Sequence, residues 1–272
     1  LSQNGYGGRQ FSLPPTRCMG STCGMAAADN EGSSPDGVEE KMKKAHWVPL
    51  ESNPEMLTSF AQKVGLPDGW EFTDIFGTDP DLLAMLPPTC IAVTLLFECT
   101  DNIRKFKEEQ REKVQASGQT LNPELVYLKQ YVGNACGTIA SIHCLANSAA
   151  ALGLKPDTPI GRYLAAIKGK SPEEAGSILA DATDLHAASE ASAQGGQTEA
   201  PAADADVNAH FIAFVEKGGD LYELDGAKAF PINHGPTGGS LVNAAAQAIK
   251  ANFMDKDPES IHFNMMALVK PE

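Results

Sequence analysis

Residues 207 to 226, VNAHFIAFVEKGGDLYELDG, read as a β-hairpin. Phe211 to Val215 form the unbroken apolar run of a strand buried on both faces, and Gly218 and Gly219 supply the turn. The second run, from Leu221 to Leu224, ends in Asp225 and Gly226. Folding the hairpin between Lys217 and Gly218 sets His210 beside Asp225 at its open end. A carboxylate next to an imidazole fixes its tautomer and stabilises the imidazolium, as a general base requires. Taken singly, Asp225 also reads as the opening of an Asp-Gly turn and His210 as a residue that starts a strand. Their pairing makes them a candidate base and orienting acid.

Other elements lie to either side. TCIAVTLLFEC (89–99) reads as another strand buried on both faces, which makes Cys90 and Cys99 core or strand-end residues. IHFNMMALV (261–269) reads as a closing strand. Asn53 and Pro54 cap a helix whose apolar face is Met56, Leu57, Phe60 and Val64, and Asp79 with Pro80 repeats the device. The charged run from Asp101 to Lys113 reads as a solvated helix face. Helical segments follow around 158–168 and 171–185, and SLVNAAAQAIKANF (240–253) is another capped helix. Strands after a mainly helical first half give an α+β fold. Residues 187–206, AASEASAQGGQTEAPAADAD, hold no large hydrophobe and read as a long loop. Residues 1–41 are rich in Gly, Ser and Pro and read as a disordered extension, which leaves 42–272 as the folded domain.

QYVGNACGTIASIHCLAN (130–147) carries the third candidate. From Cys136, residues Ile139, Ile142, His143 and Ala146 recur at helical steps, so the cysteine stands near a helix N-terminus. Free N–H groups and the helix dipole favour a thiolate there, and a thiolate is a nucleophile. The other reading is a small hydrophobe filling a core. His143 lies roughly 10 Å further along the axis, too far to serve as its base. Gln130, six residues upstream, can donate from its amide to a developing oxyanion, or can be an ordinary surface glutamine.

A hydrophobic content of 42% supports a sizeable core, and no apolar run reaches a membrane span. A net charge of −14 argues against nucleic acid and anionic membranes as partners. Six cysteines without regular paired spacing do not form a secreted disulfide framework, and a reducing compartment such as the cytoplasm is the better reading. Cys18 and Cys23 have no second ligand pair, so no metal site is expected at them.

The motifs NACGTIA with its upstream Gln, AHFIAFV, LYELDG and FPINHG resemble those of the ubiquitin carboxyl-terminal hydrolases. WVPLESNPE, DPDLLAMLP and GQTEAP extend the resemblance over Trp47 to Val269. It implies a papain-like α/β/α sandwich with a central antiparallel sheet, a knotted chain and a crossover loop above the active site, the latter at 187–206. It implies a thiol protease that cleaves after the C-terminal glycine of ubiquitin, and of a related modifier such as NEDD8, from small adducts and peptides. Position by position, it places the nucleophile on Cys136, the base on His210, the orienting acid on Asp225 and the oxyanion donor on Gln130. It implies no cofactor and no metal, and a monomer located in the cytoplasm or nucleus. Gly137 is then expected to keep the approach to the sulfur open.

Overall fold

Six antiparallel strands form one sheet in the order β1-β6-β2-β3-β4-β5. The computed structural model describes residues 46–197, 202 and 207–271, so the extension expected at 1–41 lies outside the described residues. The strands are β1 (Glu71–Ile75), β2 (Thr89–Glu98), β3 (Ala209–Lys217), β4 (Asp220–Leu224), β5 (Ile232–Pro236) and β6 (Phe263–Lys270). Side chains alternate between the faces of a strand, and on β3 both alternate sets are apolar. Phe211, Ala213 and Val215 join one core cluster, while Ile212 and Phe214 join the other. A sheet with two apolar faces must be covered twice.

One cover is made by α1 (Pro54–Val64), α4 (Cys136–Asn147), α6 (Pro159–Ala166), α7 (Pro172–Ala180) and α8 (Thr183–Ala193). The other comes from the short α2 (Pro80–Leu83), α3 (Asp101–Ser117) and α9 (Leu241–Asn252). A four-residue turn of helix, α5 (Ala149–Leu152), extends α4. The caps follow the sequence: the Asn53 side chain accepts from the Glu55 N–H at 2.8 Å, and the Ser240 side chain accepts from that of Asn243. Asp79 occupies the N-cap of α2 without a side-chain cap bond. Among the described residues, no helix is long and apolar enough to cross a membrane. Cys99 is buried directly after β2, as the sequence implied for a strand-end residue.

Three expectations change. The segment 187–206 is not all loop, because α8 continues to Ala193. Its Ala and Ser residues are too small to signal a core, yet Ala188, Ser189, Ser192 and Ala193 are buried. Small side chains let two helices approach closely, and Ser192 bonds Lys63 of α1 at 2.9 Å. The helical stretch 171–185 divides at Asp181 and Ala182 into α7 and α8. The hairpin register is shifted by two residues. Lys217 pairs with Asp220 and Ala213 with Leu224, so the turn centres on Gly218-Gly219. Both turn glycines have positive φ, 62° and 89°, the conformation a tight two-residue hairpin demands. Asp225 therefore lies diagonal to His210 rather than directly opposite, on the same face because the offset is even.

Candidate active site

Cys136 is the first residue of α4, where backbone N–H groups have no intrahelical acceptor. The approach to it is a strained turn: Asn134 has φ 60°, unusual for a residue with a side chain. Gly133 precedes it, and a Cβ there would lie 2.2 Å from His46 Nδ1, so a side chain at this position would have to displace the exposed imidazole. The Trp47 N–H donates to the Gly133 carbonyl at 3.0 Å, and the Trp47 ring stacks on His186. The sulfur faces a cleft of about 180 Å³ lined by Leu50, Glu51, Gly137, Ala193, Val207 and Phe211, among others. Gly137 does line this cleft, but a Cβ on it would sit 3.2 Å from Leu50 and Phe211.

His210, beside the first residue of β3, hydrogen-bonds the Cys136 thiol. Its Nε2 is 2.7 Å from Asp225 Oδ1, which leaves Nδ1 for the sulfur. Asp225 Oδ1 also accepts from the Ala227 N–H at 3.0 Å, and Oδ2 lies 2.7 Å from Lys107 Nζ. Burial alone would raise the Cys136 thiol. The hydrogen bond and charge of His210, with N–H groups of Phe211 and Gly137, reverse that and bring it below its ordinary value. Burial opposes charge on His210 too, but the charge and hydrogen bond of Asp225 raise it to about 9. Desolvation would raise the Asp225 carboxyl, yet Lys107 and His210 hold it well below the usual carboxylate range. The sulfur, the imidazole and the carboxylate thus stand in one hydrogen-bonded line.

Gln130 reaches the same corner. Its backbone N–H donates to the Gly226 carbonyl at 2.9 Å, tying it to the residue after Asp225. Its Nε2 donates to the Val132 carbonyl at 3.0 Å, and that nitrogen carries a second hydrogen. His143 is packed, not reactive: burial lowers it to about 3, so it is a neutral ring that accepts the Leu128 N–H at 3.2 Å. It stacks on Tyr127, whose hydroxyl donates to the Asp225 carbonyl at 2.8 Å. His234 pairs with buried Glu223 at 2.9 Å. Lys107 is the residue the sequence reading passed over, dissolved in a charged helix. The signal was its position four residues after Ile103, the buried residue of α3. Among the described residues, no cluster of three or more His, Cys, Asp or Glu could hold a metal ion.

A low-pKa thiol, an imidazole and a buried acid in an open cleft suit acyl transfer. Residues 47–255 match the family described as ubiquitin carboxyl-terminal hydrolase, family 1. The chain belongs to that family. It is 39% identical over 225 residues to a probable ubiquitin carboxyl-terminal hydrolase of Dictyostelium discoideum, covering 83% of this chain and 88% of the relative. A human relative, ubiquitin carboxyl-terminal hydrolase isozyme L1, is 34% identical over 222 residues, covering 82% and 97%. The fold is also that of a Trichinella spiralis UCH37 catalytic domain solved with ubiquitin vinyl methyl ester. The TM-score is 0.62 at 20% identity, over 85% of this chain and 98% of that one. This ubiquitin carboxyl-terminal hydrolase is a deubiquitinating enzyme of the cysteine type.

The His210 value sets a testable limit. The proton on the His210 imidazolium is lost as pH rises through about 9, and an imidazole that must donate a proton then fails to. kcat/KM is expected to fall on the alkaline side near that pH. Asp225→Asn removes the charge that raises His210, so the alkaline limb should move to lower pH. A pH–rate series on both enzymes checks this; an unmoved limb would remove Asp225 as the cause.

Proposed function

We propose that this enzyme hydrolyses the bond after the C-terminal glycine of ubiquitin and releases small amines and short peptides. Cys136 is the nucleophile, His210 the general base and acid, Asp225 its orienting partner and Gln130 an oxyanion donor, within a catalytic domain of residues 42–272. The observation that carries the reading is the Cys136–His210–Asp225 relay opening on the cleft. The Cys136 thiolate attacks the glycine carbonyl, and the tetrahedral oxyanion takes hydrogen bonds from the Cys136 N–H and the free hydrogen of Gln130 Nε2. The His210 imidazolium protonates the departing nitrogen and leaves a thioester. His210 then takes a proton from water, which displaces the thiolate and frees the carboxylate.

Two features support ubiquitin and a small leaving group. Phe76 and Ile261 are exposed by 73% and 85%, at the sheet end that holds His210. Ile75 pairs with Met265 and Phe97 with both His210 and Phe263, which fixes that location. Exposed apolar surface beside a cleft suits the folded body of a partner whose tail enters the cleft. Ala193 and Val207 both border the cleft, so the chain between them is tethered at two points beside Cys136. Helix α8 runs to Ala193, so a crossover segment can use only the chain between Ala193 and Val207, part of which lies outside the described residues. Thirteen or so residues reach at most about 45 Å extended, too short a loop to pass a folded domain.

Ubiquitin bearing a C-terminal electrophile should label Cys136 and no other cysteine; intact mass after Cys136→Ala shows it, and surviving adduct would move the nucleophile elsewhere. The same probe built on NEDD8 measures admission of that modifier. Diubiquitin should be cut far more slowly than a ubiquitin–fluorophore amide, and equal rates would sink the size limit. Ile261→Asp should raise KM with kcat unchanged, whereas an unaltered KM would place docking on another surface.

A further inference from the structure

We propose that Lys107 is a positioning residue of the reacting set: its ammonium group holds the outer oxygen of Asp225 and restrains the charge on His210. The proposal rests on the catalytic reading of Cys136, His210 and Asp225.

Lys107 could have stayed on the surface. Helix α3 carries Asp101, Glu108, Glu109 and Glu112, and its Arg104, Lys105 and Arg111 find such partners on the exposed face. Lys107 instead turns inward to the carboxylate at 2.7 Å, with 11% of its side chain and 1% of that of Asp225 exposed. Burying an ammonium group is costly unless it meets an opposite charge. Nζ and Asp225 Oδ2 are both closed to solvent and, among the described residues, neither has a hydrogen-bond partner, so their charges compensate each other as an ion pair. Nζ also lies 5.8 Å from the centre of the Phe97 ring, whose edge-on contact with His210 is 5.8 Å. Lysine, carboxylate, aromatic ring and imidazole thus enclose one another.

Among the described residues, no other lysine or arginine touches the Asp225 carboxylate, and Lys228 acts on it only at a distance. Lys228 is engaged by Glu223 and Gln110, and Lys129 by the Lys228 carbonyl. The remaining groups that face the acid are Tyr127, bonded to its carbonyl oxygen, neutral His143, and the Cys136–His210 pair. Lys107 acts in two ways. By taking Oδ2 it keeps Oδ1 aimed at His210 Nε2. By its charge it lowers the affinity of His210 for its proton, against the pull of Asp225. An imidazolium held too tightly is a poor acid toward the leaving amine, so restraint favours turnover.

Lys107→Met, Lys107→Gln and Lys107→Arg separate these effects. Two readouts are needed: kcat/KM against pH with a ubiquitin–fluorophore amide, and alkylation of Cys136 by iodoacetamide against pH without ubiquitin. Lys107→Met should lower kcat about tenfold at unchanged KM and move the alkaline limb up by about one pH unit. Lys107→Arg should restore both to within about threefold and a few tenths of a unit. Lys107→Gln keeps a donor without the charge, so it should retain more kcat than Lys107→Met yet show the same shifted limb. A limb that stays fixed in both neutral variants, or Lys107→Arg no better than Lys107→Met, overturns the proposal. Should Lys107→Met fail to fold, seen in its thermal midpoint, the Gln and Arg variants decide on the limb alone. A wild-type Cys136 inert to iodoacetamide would overturn the catalytic reading itself, a different failure from an inert Lys107.

Discussion

A carboxylate removed from water must be compensated on every side, and at Asp225 that demand organises one end of the molecule. Its oxygens take an imidazole, a backbone N–H and an ammonium group. The turn that carries it is stapled as well. The Tyr127 hydroxyl holds the Asp225 carbonyl at 2.8 Å and the Lys228 carbonyl at 2.6 Å, and Gln130 holds that of Gly226 at 2.9 Å. Strand β4, helix α3 and the segment leading into α4 therefore meet at a single charge. The sulfur, the imidazole and the glutamine are placed by what this carboxylate requires.

The cysteines show what such placement does to reactivity. Burial pushes Cys90 up to about 12 and Cys144 further, with little to oppose it. Cys136 meets the same desolvation and ends below its ordinary value. The difference comes from one imidazole and two backbone N–H groups, supplied by the start of a helix and the start of a strand. Reactivity here is a property of neighbours, not of exposure.

Legibility followed the strength of the local signal. The Asn53 cap, the doubly buried β2 and the helix beginning at Cys136 carry periodicities that no other element could satisfy, and each stands where the pattern placed it. Strands β1 and β5 are five residues each, too short for a period to show, and were not foreseen. Helix α8 was hidden because Ala and Ser bury little area, while their smallness is what lets α8 lie against α1. The hairpin was found but its register was two residues out, since a run containing two glycines offers two turn centres. That His210, Asp225, Cys136 and Gln130 lie close together was legible because imidazole, carboxylate, thiol and amide are distinctive side chains at distinctive places in their elements. Lys107 was not, because a lysine in a charged helix looks the same in sequence whether it faces solvent or a buried acid.

The strand order has a consequence for how the molecule comes to exist. β6, the latest strand in the chain, lies between β1 and β2, two of the earliest. Its registry spans both neighbours, from Glu71 with Val269 to Phe97 with Phe263. Until residues 263–270 have been synthesised, β1 has no partner and β2 keeps one edge bare. Such long-range pairing makes closure of the sheet a late and slow step. During translation the half-built sheet exposes an apolar edge, the condition under which nascent chains associate wrongly or engage chaperones.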